Sequence, residues 1–277
     1  MSSSPARKCE PGCECGRHRR KAVAPEVVAV EEQPSEAAVA PEVELEPVAA
    51  EPAPEATVSV LVPARLDRAR RDLWEFLRPR WEKLGYEIVE GSCVGQWCKA
   101  AAVADALSRA TGDILVVADA DVGCEGVPAA VERVRAGAAW AIPHYLVRRL
   151  TLPATLEVLT SGVWPVRRTT TTYAQPPYPG RPGGGLVVLS RESYAKVPMD
   201  PRFRGWGQED ESWALALGTL LGRSWRGTAD LWHLHHAPAP RQSRHIGSQA
   251  SMNLHRRYVT ANRQPPRMAA LVAEAKR

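Results

Sequence analysis

Glu209-Asp210 places two carboxylates side by side behind a Gly205-Trp206-Gly207 turn, in the stretch Arg204-Gly205-Trp206-Gly207-Gln208-Glu209-Asp210. Adjacent acids in a cleft disfavour each other's charge. A general base that takes a proton from a hydroxyl would account for them. Gly205 and Gly207 permit close backbone approach, and Trp206 offers a flat face to a sugar ring. The plainer reading is that acidic residues in the first turn of a helix complement its dipole. Asp119-Ala120-Asp121 lies about ninety residues upstream, directly after the apolar run 114–118. Two carboxylates at i and i+2 on a strand end can share a divalent cation, or divide between a metal and ribose hydroxyls. Alone the pattern is weak, since turns are rich in Asp. Trp232-His233-Leu234-His235-His236 adds imidazoles that could complete the same site. Imidazole suits Mn²⁺ better than Mg²⁺. The expected metal set is Asp121, Asp119, His233 and His236.

Arg65 and Lys99 could neutralise a diphosphate, or be solvated charges. Glu90, closing a short apolar segment, could accept hydrogen bonds from a nucleobase or ribose. Cys93 and Cys98 flank Trp97 and read as packing residues. Near the N-terminus, Cys9, Cys13, Cys15 and His18 could bind one Zn²⁺ tetrahedrally, although the spacing matches no common finger.

These residues need a frame. Val58-Ser59-Val60-Leu61-Val62-Pro63 is a buried strand closed by proline. A helical pattern over 66–84, interrupted by Pro79, leads to a second strand at 86–89. An Ala-rich helix at 100–110 precedes the clearest strand, 113–119. A helix at about 127–136 and a strand at 138–145 follow. This alternation predicts an α/β, doubly wound, mostly parallel sheet with right-handed crossovers. Ligands of such sheets sit at the carboxyl ends of the strands, where Pro63, Ala64, Arg65, Glu90, Asp119 and Asp121 fall. Residues 169–182 read as a long surface loop, 185–190 as a strand, 208–221 as a helix, and 251–262 and 267–276 as further helices.

Charge divides the 277 residues into blocks: +4 over 1–21, −9 over 22–56 and +10 over the rest. The Ala/Val/Pro/Glu segment 22–56 buries too little apolar surface to offset its ordering entropy, and is expected to be a disordered linker. Four regions result: a basic Cys/His segment at 1–21, the linker at 22–56, a catalytic domain at 57–240 and a helical extension at 241–277. No run approaches the roughly 20 apolar residues of a membrane span. The N-terminus lacks a signal-type apolar core, and the cysteine usage fits a reducing compartment, so the expectation is cytoplasmic.

Over residues 57–240 the chain resembles GT-A-type glycosyltransferases, near the family 2 and family 27 grouping and the galactosyltransferase C-terminal module. The resemblance rests on the order of the opening strand, Lys99 with its Ala-rich helix, Asp119-Ala120-Asp121, Gly183-Gly184-Gly185, Gly205 to Asp210, and His233 to His236. It implies a UDP-sugar donor with Mn²⁺ or Mg²⁺. Asp121 would ligate the metal, Asp119 would lie nearer the ribose or the metal shell, and His233 or His236 would complete coordination. Asp210 would be the base, with inversion at the anomeric carbon, and Glu209 would bind sugar. Pro63, Ala64, Arg65, Glu90, Lys99, Gly184, Gly185 and Trp206 would hold the donor. Family 2 members carry Asp where this chain has Glu90. The acceptor, protein, glycan or nucleic acid, is not specified. A DNA-modifying transferase and a catalytically inactive nucleotide-sugar-binding module are the alternatives.

Overall fold

The computed structural model describes residues 56–65, 68–164, 173–180, 182–237 and 247–276. The expected Zn²⁺ ligands Cys9, Cys13, Cys15 and His18, and the 22–55 stretch of the linker, lie outside them. Residues Ala53–Arg277 form one compact unit. Its centre is an eight-stranded sheet in the order β2-β1-β3-β7-β5-β8-β4, with β6 (Tyr178–Pro179) paired to β5 off that path. The strands are β1 (Val58–Pro63), β2 (Glu87–Gly91), β3 (Ile114–Ala118), β4 (Val122–Gly123), β5 (Trp140–Arg149), β7 (Leu186–Ser190) and β8 (Trp225–His233). β1 runs parallel to β2 and β3, and β5 parallel to β8. β7 is antiparallel to both β3 and β5, so those two point the same way with β7 between them. The mostly parallel α/β sheet expected from the sequence is therefore present, with one rearrangement. The 138–145 strand does not lie beside β3, because β7, from far later in the chain, occupies that place.

Both faces of the sheet are covered, which is why β1, β3 and β7 read as nearly continuous apolar runs. Val58, Val60, Val62, Ile114, Val116 and Val188 face one core with helices α1 (Arg68–Glu82), α3 (Val127–Arg135) and α4 (Leu152–Ser161). Leu61, Leu115, Val117, Val187 and Leu189 face the other, built from α2 (Lys99–Leu107), α5 (Arg191–Lys196), α6 (Glu209–Leu220), α7 (Gly247–Ala261) and α8 (Pro265–Ala275). The last two helices, which the sequence set apart as an extension, bury Leu254, Tyr258, Met268, Leu271 and Val272 in this second core.

Five elements carried no clear sequence signal: α4, α5, β4, β6 and β8. β8 is the most consequential. Its Trp-Arg-Gly-Thr-Ala-Asp-Leu-Trp-His run mixes Gly227 and Asp230 into a central strand. Asp230 is tolerated there because Arg148 of β5 meets it at 2.6 Å, both side chains being buried. Of the long loop expected at 169–182, residues 169–172 and 181 lie outside the described residues. In its described part, Tyr173 bridges to Leu150 and β6 pairs with β5.

Candidate functional site

Five strands, β1, β2, β3, β5 and β8, end at one edge of the sheet. The start of β7 and the N-termini of α2 and α6 arrive at the same edge, the crevice where α/β sheets bind ligands. Asp119 follows β3 directly, and its N–H donates to the Gly185 carbonyl at 2.9 Å, tying β3 to the glycine turn before β7. Gly183 and Gly185 both adopt positive φ, 87° and 75°. A Cβ on Gly183 would lie 2.2 Å from the Asp210 carbonyl oxygen, so glycine is needed there for the α6 terminus to approach.

Two clusters result. In the first, β4 pairs antiparallel with β8, placing Val122 opposite His233. The Leu234 N–H donates to the Asp121 carbonyl at 3.0 Å, which sets Asp121 beside the histidines. His236 Nε2 is 3.0 Å from Asp121 Oδ2, and His233 Nε2 is 4.0 Å from Oδ1. One ligand atom from each of the three residues falls within 4.8 Å of the others, the only such group among the described residues. His233 Nδ1 lies 2.9 Å from the Leu234 carbonyl and His236 Nδ1 2.8 Å from the Ala237 carbonyl. A carbonyl only accepts, so His233 Nδ1 carries the proton of its neutral ring and its Nε2 lone pair faces the site; the Arg70 guanidinium also stands 3.2 Å from His236 Nδ1, and His236 Nε2 faces Asp121. One carboxylate and two imidazoles so arranged fit a divalent transition-metal ion, Mn²⁺ among them. Burial works to raise the Asp121 pKa, but His233 and His236 overcome it and hold the carboxyl at about 2. Burial lowers the His233 pKa, whereas the hydrogen bond to Asp121 raises that of His236.

The second cluster centres on Lys99, the first residue of α2, only 7% exposed. A cation at a helix N-terminus opposes the dipole, and burying it adds a desolvation cost. Two carboxylates compensate: Asp119 Oδ1 at 2.7 Å and Asp210 Oδ1 at 2.8 Å from Nζ. Burial alone would lower the Lys99 pKa, but these two carboxylates raise it above its ordinary value. Asp119 is pushed up to about 6 by burial, with the charges of Asp210 and Asp121 adding to it against Lys99. Glu209 is pushed up to about 7, by burial and then by the charge of Asp210. Its Oε2 is buried with no hydrogen-bond partner. Glu209, Asp210 and Glu211 open α6, where acids suit the dipole, and Gln208 before them holds φ at 69°.

Between the clusters lies a cavity of about 310 Å³ lined by Asp119, Arg149, Tyr178, Asp210, Glu211 and His233, among others. Gly184 and Gly185 line it too. The expected donor-binding residues divide. Pro63 is buried as the last residue of β1, Ala64 is partly buried and hydrogen-bonded to Gly91, and Arg65 is exposed. Arg65 and Arg70 each stand 5.9 Å from the ring centre of Trp206. Trp206, 42% exposed, stacks on buried Trp97 at 5.7 Å and 19°. Glu90 is less available than its position suggested: Oε1 accepts from Trp74 Nε1 at 2.7 Å and Arg78 Nη1 at 2.9 Å. Lys99 is engaged by carboxylates rather than open to a diphosphate. Arg149 and Tyr178 were missed, because β5 extends past 145 and β6 is only two residues long.

No family model matches the sequence, and no curated protein matches it. Solved structures do resemble the chain. They include glucosyl-3-phosphoglycerate synthase from Mycobacterium tuberculosis in complex with Mg²⁺ and UDP, at 17% identity and a TM-score of 0.41, covering 79% of this chain and 80% of that one. Another is a Drosophila β-1,4-galactosyltransferase 7 with manganese, UDP-Gal and xylobiose, at 16% identity and 0.40, covering 70% and 75%. A third is a Pyrobaculum calidifontis mannosyltransferase with GDP-Man and Mn²⁺, at 16% identity and 0.41, covering 80% and 69%. Among the described residues, no helix is long and apolar enough to cross a membrane.

Proposed function

We propose that the protein is a metal-dependent glycosyltransferase that moves a sugar from a UDP-sugar to an acceptor hydroxyl. The observation that carries this reading is the meeting, at one sheet edge, of the Asp121–His233–His236 group with the Lys99-bridged pair Asp119 and Asp210 across a shared cavity. Asp121, His233 and His236 would hold the divalent cation, which when bound supplies a Lewis acid for the charge that builds on a departing diphosphate.

The chain's own groups do the rest. Lys99 fixes one oxygen of Asp210 and leaves the second to accept a proton from the incoming hydroxyl. Asp210 lines the cavity from α6 and His233 lines it from β8; a base on the α6 side would act on the face away from a diphosphate held on the β8 side, and hence with inversion. Asp119 is held by Lys99, away from the imidazoles, so its place is at the ribose or the outer shell of the metal. Trp206, stiffened by its stack on Trp97, offers a face for a sugar or base.

The test begins with a thermal-shift screen of nucleotide sugars with Mn²⁺, since a bound ligand raises stability by mass action. Donor turnover is then followed, transfer to water included, in wild type and Asp210→Asn. The variant is expected to keep the donor-induced shift and lose turnover by about 10²-fold or more. Undiminished turnover refutes Asp210 as the base. Absence of both shift and turnover with every donor refutes the transferase reading.

A further inference from the structure

Arg149 occupies the lone pair that a cation would need. His233 Nδ1 carries its proton toward the Leu234 carbonyl, so Nε2 holds the ring's available lone pair. Arg149 Nη1 stands 3.1 Å from that Nε2, and a guanidinium only donates. One lone pair cannot serve both. The sheet register makes the encounter unavoidable: Arg149 ends β5 and lies opposite His233, which ends β8. Strand alternation sends Arg148 to the other face, where it pairs with Asp230, and Arg149 to the site. Arg149 Nε donates to Tyr178 Oη at 3.2 Å, which steadies the side chain without using its remaining donors. Among the described residues lining the cavity, Arg149 is the one Lys or Arg, facing Asp119, Asp210 and Glu211.

We infer that Arg149 and the divalent cation compete for His233 Nε2, so that cation loading releases the Arg149 guanidinium to grip the diphosphate of the donor. This rests on the metal-centre reading above. The released fork needs acceptors, and the oxygens of a diphosphate suit its paired N–H geometry. The cation should then favour nucleotide binding by more than its own bonds to phosphate, and by linkage the nucleotide should favour the cation equally.

The experiment measures Mn²⁺ binding alone, from the EPR signal of free Mn²⁺, in wild type, Arg149→Met, His233→Ala and the double variant. UDP affinity at saturating Mn²⁺ is measured alongside. Arg149→Met is expected to bind Mn²⁺ about tenfold more tightly, because a charge-assisted hydrogen bond no longer competes. It should bind UDP about tenfold more weakly. In the His233→Ala background the same substitution should change Mn²⁺ affinity less than about twofold, since there is no lone pair left to compete for. A gain that persists there reflects general charge repulsion and overturns the inference, as does an Mn²⁺ affinity unchanged or weakened by Arg149→Met. Tyr178→Phe keeps the charge and unties Nε, and should tighten Mn²⁺ by about threefold even if Arg149→Met fails to fold. No tightening in Tyr178→Phe also counts against it. Wild-type protein that binds no Mn²⁺ refutes the metal centre itself, and the inference with it.

Discussion

Replacing Lys99 by Met tests the central electrostatic argument. The ammonium is buried between Asp119 and Asp210 at 2.7 and 2.8 Å. Its loss leaves two carboxylates facing each other with no counter-charge. Breaking a buried ion pair by removing one partner costs about 3–5 kcal/mol. For a domain of this size each kcal/mol moves Tm by about 2–4 °C, so a fall of about 6–20 °C is expected near pH 8. The deficit should shrink in acid. Asp119 sits at about 6 even beside the lysine, through burial and then the balance of neighbouring charges. Without Lys99 it rises further, so below pH 6 one carboxyl is protonated and the repulsion is gone. An acid whose folded pKa exceeds its unfolded value costs stability as pH rises between the two, which gives the sign. Melting curves at pH 5 and pH 8 read the effect, and adding Asp210→Asn should recover much of it. A Tm within about 2 °C of wild type at pH 8 refutes the argument. So does a deficit that grows toward acid.

Glu209→Gln should stabilise the protein at pH 8 and leave it nearly unchanged at pH 4.5. The carboxyl, held at about 7 by burial and then by the charge of Asp210, costs on the order of 3 kcal/mol once ionised, and urea titrations at the two pH values check this. Gly183→Ala should lower Tm by several degrees and weaken donor binding together. The residue sits at φ 87° with the Asp210 carbonyl 2.2 Å from the new Cβ, and the left-handed backbone alone costs about 1–2 kcal/mol. Asp121→Asn should weaken Mn²⁺ about 100-fold in a calorimetric titration while the fold persists; unchanged affinity would place the metal elsewhere.

Much of the frame was legible. The apolar runs at 58–63 and 114–118 are buried on both faces, so their composition alone marks them as central strands. Asp119, Asp121, Glu209 and Asp210 were legible too, because acids after a buried strand or behind a Gly-Trp-Gly turn are out of place without a role. β8 was not. Asp230 and Gly227 break its apolar pattern, and Arg148 on the neighbouring strand helps make the acid tolerable. Arg149 was invisible for a related reason. One of 36 basic residues becomes distinctive only when strand pairing sets it opposite His233.

Local composition therefore settles which segments are buried, where they end and which side chains are chemically expensive, because those properties depend on neighbours within a few residues. Partnership is a different matter. Lys99 looked like a cation awaiting a diphosphate, and folding instead closes it between carboxylates from β3 and α6. Asp119 and Asp121, two residues apart, part company: one turns to a lysine, the other to histidines more than a hundred positions away. Such pairings follow from insertion of β7 between β3 and β5 and from β4 lying along β8, contacts that no local pattern encodes.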